Sequence, residues 1–234
     1  MKNTILDKSN LVNSVFSKVY RKYDLMNDIM SFGIHRIWKE KFIDWMKPTQ
    51  DAKLIDVAAG TGDIAKLFSK RNNNIPEITC IEPNNEMFLE GKKNLKNYKN
   101  VEWIKAKAES LPVKSNAYDF YSISYGIRNV SDINKTLSEA YRVLKPGGRF
   151  MCLEFSKIDN EVLNFFYKNY SKTIPLLGKY VVGSSKPYNY LIKSINEFYN
   201  QKQLLELLVK NGFSNVEYRN LSNGISAIHS GWKI

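Results

Sequence analysis

Residues 56–63 read DVAAGTGD, and Glu82 stands twenty residues beyond Gly62. Gly60 and Gly62 let a backbone turn tightly and approach a ligand closely. A helix opening at Asp63 would turn its first N–H groups toward an anion. Glu82, at the end of a following strand, can accept hydrogen bonds from both hydroxyls of a ribose. The run departs from the dinucleotide fingerprint, because Ala58 stands at the first glycine position and no third glycine follows at that spacing. A ligand-free tight turn and an exposed strand-end acid explain the same residues. With Asp56 added, the set suits S-adenosyl-L-methionine, which has a ribose and an amino-acid end but no pyrophosphate. Met87 would then pack on the adenine, or serve as an ordinary core methionine.

A second group could do chemistry. Arg128 and Asn129 follow a predicted strand that ends at Ser124, on the side of the sheet where ligands sit. Arginine stays protonated, which suits holding an oxyanion or polarising a water. His35 titrates near neutrality and is a candidate base, and it reads equally well as a satisfied histidine. Asp24 and Asp28 could be bases or helix caps. Glu154 and Ser156 are expected past the fifth strand, shaping a pocket, and His229 reads as structural.

The elements that must position these residues alternate. Val12, Val15, Phe16, Val19, Tyr20 and Tyr23 share a helical face over residues 10–23, and a second helix is expected from His35 to Met46, before Pro48. Strands are expected at 53–58, 77–82, 101–106, 118–124 and 149–155. Helices are expected at 63–70, 85–97 and 132–144, then within 161–173 and 188–211. Strand–helix alternation implies crossovers and a mainly parallel sheet. Residues 214–221 and 224–232 are too close to be joined by a crossover, so they form an antiparallel hairpin. The expectation is an α/β, doubly wound, seven-stranded sheet with an antiparallel last strand, the Rossmann-like fold of class I methyltransferases. An N-terminal helical lid (1–47) would precede the cofactor-binding domain (48–234).

Composition excludes other classes. The chain has 234 residues with 43% hydrophobic and 25% charged content, an ordinary globular balance. Its two cysteines, Cys80 and Cys152, fall in predicted strands without metal-like spacing, so no disulfide framework is expected. Two distant histidines speak against zinc, and no metal is expected. No apolar run reaches a membrane span, and the first ten residues lack a signal-peptide core. The expected location is cytoplasmic, or peripheral on the inner face of the membrane. The net charge of +12 fits anionic lipid or scattered solvated lysines. Its densest run, KKNLKNYKN, lacks the interleaved aromatics of a single-strand binder, so no nucleic acid is expected.

Two segments resemble a known family. YDLMNDIMSFGIHRIWK (23–39) and RVLKPGGRFMCLEFSK (142–157) are similar to the signatures of the ubiquinone/menaquinone biosynthesis C-methyltransferases. DVAAGTGD, YGIRNVSD (125–132) and GISAIHSGWKI also look like that family. The resemblance runs from about Val15 to Ile234 and implies methylation of a ring carbon of a polyprenylated benzoquinol or naphthoquinol, with S-adenosyl-L-methionine as donor. It places cofactor contacts at Thr61, Glu82, Lys107, Ala108 and Ser124, beside Asp56, Gly60 and Gly62, and catalytic roles at Tyr23, Arg128 and Asn129. Two positions depart from the family pattern. Glu82 stands where an Asp is usual. Lys107 replaces an Asn or Asp, and since lysine only donates, the backbone around Ala108 is expected to meet the adenine. Met26, Met30, Phe32 and their neighbours then read as an adaptable apolar wall for the prenyl tail, or as plain helix packing. Other acceptors (a phenol oxygen, an amine, RNA), a silent cofactor-binding scaffold and a nicotinamide enzyme are the rival readings. A homodimer and a place in a quinone-biosynthesis complex both stay open.

Overall fold

In this computed structural model residues 33–71, 76–158 and 186–234 are described, together with Ser17, Asp28 and Ser31. The expected helix within 161–173 and most of the expected lid, including Tyr23, Asp24, Met26, Met30 and Phe32, lie outside the described residues.

The strands are β1 (Leu54–Val57), β2 (Ile78–Ile81), β3 (Val101–Ile104), β4 (Tyr118–Ser124), β5 (Leu144–Phe155), β6 (Ser214–Leu221) and β7 (Ser226–Trp232). They form one sheet in the order β3-β2-β1-β4-β5-β7-β6. β1 to β5 pair in parallel. β7 slots between β5 and β6 and is antiparallel to both, as the short link to β6 requires. The order reverses between β1 and β4, so a crevice opens beyond their carboxyl ends.

The helices are α1 (His35–Met46), α2 (Asp63–Arg71), α3 (Asn85–Asn94), α4 (Ile133–Val143), α5 (Lys186–Glu197) and α6 (Gln201–Lys210). Successive strand residues point to opposite faces: Leu54, Phe120 and Met151 pack with Trp38, Phe42 and Phe68 of α1 and α2, while Ile55, Tyr121 and Cys152 pack with Leu137, Ala140, Leu204 and Leu208 of α4 and α6. That alternation is the two-sided core of a doubly wound sheet. Phe42 is fully buried, and cutting it to alanine should cost about 3–5 kcal/mol. Cys80 and Cys152 are free and buried.

Boundaries depart from expectation where partners are distant. β5 begins five residues early, because Leu144 pairs with Tyr118 and Gly147 and Gly148 bond the backbone of Lys233 near the chain's end. The stretch 188–211 breaks at Asn200, whose side chain accepts from Gln203 N–H while the Gln203 side chain accepts from Asn200 N–H. That reciprocal pair starts a new helix. α1 stops at Met46, with Lys47 left-handed at φ 49°, immediately before Pro48.

Candidate active site

The site is assembled where β1 and β4 end. After Val57 the chain turns through Ala58 (φ 55°), Gly60 (φ 58°) and Gly62 (φ 91°) into α2. The two glycines differ in purpose. A Cβ on Gly60 would meet nothing within 4 Å, so that backbone faces open space. A Cβ on Gly62 would lie 2.7 Å from Leu95, so there glycine also serves packing.

Asp56 is 1% exposed. Its Oδ1 accepts from Ser122 Oγ at 2.6 Å, and its Oδ2 is buried with no partner. Burial, and then the charges of Asp63 and Glu82, raise its pKa to about 7. Glu82, one residue past β2, accepts from Gly60 N–H and Asn84 N–H, each at 2.9 Å. Burial raises its pKa to about 7 against those two bonds. Glu82 therefore holds the glycine turn in place, and each oxygen keeps a lone pair for a further donor. Ser124 ends β4, and its Oγ is also buried without a partner.

Asp56, Gly60, Thr61, Asp63, Ser124 and Lys39 line one cleft. Lys39 comes from α1, is 6% exposed, and donates to Asp63 Oδ2 at 2.5 Å. Tyr125 closes the cleft. Its left-handed backbone (φ 55°) is the strained conformation that clusters at functional sites. Lys107 is exposed and Ala108 buried; neither lines this cleft, and the 107–110 turn is held by Ser110 N–H on the Lys107 carbonyl. The residues fit S-adenosyl-L-methionine on the structure's own terms. An orphaned buried carboxylate oxygen suits an ammonium, and the bare face of Gly60 leaves room for a ligand beside Glu82.

Arg128 departs from expectation. Its guanidinium is not presented over a cavity. Nη1 donates to Glu154 Oε1 and to the Tyr125 carbonyl, both at 2.7 Å, and the side chains of Arg128 and Glu154 are 1% and 2% exposed. Glu154 lies within β5, not past it. The parallel register sets Ser124 opposite Leu153, which brings the next carboxylate beside Tyr125 and its following turn. Burial raises the pKa of Glu154, and Arg128 opposes the rise. Asn129 donates to the same Tyr125 carbonyl at 3.4 Å and accepts from Tyr190 OH at 2.9 Å.

His35 opens α1 and is 1% exposed. Its Nε2 lies 2.8 Å from Asp28 Oδ1, and Arg36 holds the same carboxylate. Asp28 is lowered to about 2, chiefly by Arg36, so it accepts only. Nε2 must therefore carry the proton, and Nδ1 of the neutral ring keeps its lone pair. That Nδ1 is buried without a partner. Burial, then the Lys39 charge, lowers the His35 pKa. His229 Nε2 meets the Gln201 carbonyl at 2.9 Å, away from this cleft.

Three members of the site escaped sequence reasoning. Lys39 closes the family-like segment 23–39, yet nothing in that segment marked it as a cleft residue. Ser17 accepts from Asn84 Nδ2 at 3.0 Å and donates to Glu86 Oε2 at 2.7 Å, which sets Ser17 beside the residues after Glu82. Tyr190, on α5, had no signal at all.

Comparison with known proteins gives one consistent result. The model of the ubiE/COQ5 methyltransferase family matches residues 4–233. A protein of Rickettsia bellii (strain OSU 85-389) named ubiquinone/menaquinone biosynthesis C-methyltransferase UbiE is 48% identical, covering 97% of this chain and 94% of its own length. A protein of the same name from Brucella abortus (strain S19) is 45% identical, covering 97% and 87%. Among solved structures, a Thermotoga maritima SAM-dependent methyltransferase, described as a possible histamine N-methyltransferase, superposes with TM-score 0.66 at 20% identity, over 94% of this chain and 99% of its own. Phosphoethanolamine N-methyltransferase 2 of Haemonchus contortus, in complex with phosphomonomethylethanolamine and S-adenosylhomocysteine, gives 0.63 at 14% identity, over 84% and 52%. At those identities the structures speak to the fold alone.

Proposed function

The chain belongs to the ubiE/COQ5 methyltransferase family, and from that premise we propose which of its residues carry the reaction. It is an S-adenosyl-L-methionine-dependent methyltransferase that C-methylates a quinol ring in ubiquinone or menaquinone biosynthesis. When bound, the cofactor supplies an electrophilic methyl group on a sulfonium. In our assignment Asp56 Oδ2 accepts from the cofactor's ammonium, and Glu82 accepts from its ribose. Gly60, Thr61 and Gly62 shape the turn, Ser124 lines the cleft at the end of β4, and the backbone at Lys107 and Ala108 borders the adenine.

The acceptor carbon becomes nucleophilic when a neighbouring hydroxyl loses its proton, and the ring regains aromaticity when that carbon loses its own. One base serves both losses: it takes the hydroxyl proton, returns it to that oxygen after methyl transfer, then takes the ring carbon's proton and passes it to solvent, so that one proton leaves in all. We assign that work to His35 Nδ1, with Asp28 fixing the tautomer. His35 and Lys39 are four residues apart on α1 and share a face, and Lys39 reaches the cleft. Arg128 acts by holding Tyr125 and Asn129 in place, without touching the acceptor.

We further propose a polyprenylated acceptor taken from an anionic membrane surface. Ile34 and Ile37 are 38% and 56% exposed beside Arg36, so the start of α1 offers apolar and basic groups together. No described helix is long and apolar enough to cross a membrane.

The observation that carries the assignment is the pairing of two buried, unpartnered oxygens, Asp56 Oδ2 and Ser124 Oγ, at the switch point of the sheet. The test is incubation with isotopically labelled S-adenosyl-L-methionine and prenylated benzoquinol or naphthoquinol in turn. A labelled ring-carbon methyl in either product is expected. Label on oxygen, or none despite normal cofactor binding, would favour another acceptor or a silent scaffold.

A further inference from the structure

We propose that Lys39 recognises the carboxylate of the cofactor's amino-acid end, opposite Asp56, and so sets the specificity for an intact methionine moiety. The inference rests on S-adenosyl-L-methionine occupying the cleft.

The charges in the cleft lead to it. Asp56 and Asp63 line it, and Glu82 lies directly behind Gly60. An amino-acid group brings one cation and one anion, and these acids answer only the cation. A carboxylate entering alone would meet like charges in a poorly hydrated space, where repulsion is strongest. Among the described lining residues, Lys39 is the one cation.

The way Lys39 is held supports the role. Its side chain is 8% exposed, although a lysine gives up rotamer freedom and ammonium hydration to be buried. The Asp63 side chain is 38% exposed, and although burial works against its charge, the Lys39 charge and hydrogen bond hold its carboxyl below the usual range. An ammonium has three N–H donors, and Asp63 takes one at 2.5 Å. Two donors remain for an oxyanion beside the N–H groups that open α2. The bare Asp56 Oδ2, 1% exposed as a residue, supplies the matching acceptor. The two side chains together form a site for a zwitterion.

The experiment is calorimetric titration of the full chain with S-adenosyl-L-methionine and with decarboxylated S-adenosylmethionine, which keeps the ammonium and lacks the carboxylate. The unaltered chain should bind the intact cofactor about 10- to 100-fold more tightly, the usual worth of a charge-assisted hydrogen bond. Lys39→Gln should remove most of that preference, weakening the intact cofactor while moving the decarboxylated one less than about twofold. Lys39→Arg should keep the preference. Equal affinity of the unaltered chain for both ligands overturns the proposal with no variant needed, even if Lys39→Gln fails to fold. Equal loss for both ligands in Lys39→Gln also overturns it and makes Lys39 a packing residue. Failure of the quinol assignment would look different: binding would follow this pattern, with no label reaching a quinol ring.

Discussion

Replacing Arg128 by methionine separates a positioning role from a catalytic one. The guanidinium makes two 2.7 Å bonds, to Glu154 and to the Tyr125 carbonyl, and neither side chain of the ion pair is more than 2% exposed. Removing one partner leaves a buried carboxylate whose other close donor is Phe155 N–H at 2.9 Å. Breaking such a pair costs about 3–5 kcal/mol. Protonation of Glu154 limits the loss, and its pKa is already raised by burial; without Arg128 it rises further. A carboxyl whose folded pKa exceeds its unfolded value adds stability at low pH and loses it as pH climbs through the folded pKa. The variant should thus stand near the parent at pH 5 and well below it at pH 8, by urea unfolding. Adding Glu154→Gln removes the stranded charge and should restore stability at pH 8 to within about 1 kcal/mol of the parent. Turnover should not return with it, because the strained Tyr125 has lost its clamp and Asn129 its alignment. A misplacement near 1 Å can cost roughly a hundredfold. If Arg128→Met loses under about 1 kcal/mol at pH 8 while turnover collapses, the ion pair is not what Arg128 is for. Partial recovery of turnover at high pH, where a quinol ionises unaided, would put the guanidinium on the acceptor's oxygen and refute the positioning role.

The remaining predictions follow from single groups. Glu82→Ala should weaken S-adenosyl-L-methionine binding about 10- to 100-fold, since the ribose and the Gly60 and Asn84 N–H groups lose one acceptor together; unchanged calorimetric affinity would remove Glu82 from the site. Asp56, raised to about 7 when free, stabilises the fold below its unfolded pKa near 4 and loses that contribution as pH rises toward 7; an incoming ammonium draws its pKa down, so binding near pH 6 should release protons, measurable in buffers of different ionisation enthalpy. Because burial lowers the pKa of His35, turnover should hold at neutral pH and fall only on acidification through that lowered value, whereas Asp28→Asn should cut turnover without altering cofactor affinity. The chain should sediment with anionic liposomes and less so as salt rises, and equal binding to neutral liposomes would refute the electrostatic part.

Where a feature depends on neighbours in the chain, the sequence announced it. β4 and β6 match expectation residue for residue: β4 is a short run buried on both faces, and β6 alternates between a packed and an exposed face. The antiparallel placement of β7 followed from the length of one link. The glycine turn was legible for the same reason: Asp56, Gly60 and Gly62 lie in one stretch, and a strand end fixes where Glu82 must fall. The residues that were missed have partners far along the chain. Lys39 meets Asp63 across 24 positions, Tyr190 meets Asn129 across 61, and Ser17 meets Asn84 across 67. No local pattern encodes such pairs, and only the packed sheet brings them together.

The inward placement of Arg128 has a definite physical cause. An arginine just past a strand in a parallel sheet reads as a cation aimed at the crevice, because strand ends offer little to pack a guanidinium against. That reasoning treats β4 as if it stood alone. In the sheet, β5 runs beside it and continues past the register pair Ser124–Leu153, so Glu154 arrives where Arg128 turns back. A buried carboxylate there demands a cation, and Phe155 adds a ring face 5.7 Å from the guanidinium carbon. The arginine is drawn inward by a residue 26 positions away. Its influence on the site then runs through backbone: the Tyr125 carbonyl that it holds belongs to the left-handed residue forming the wall of the cleft. Both short bonds come from Nη1, which ties the Glu154 carboxylate to the Tyr125 carbonyl. The guanidinium is well suited to keeping a strained carbonyl still, and the stability and turnover of the paired Arg128 and Glu154 variants are coupled through that one contact.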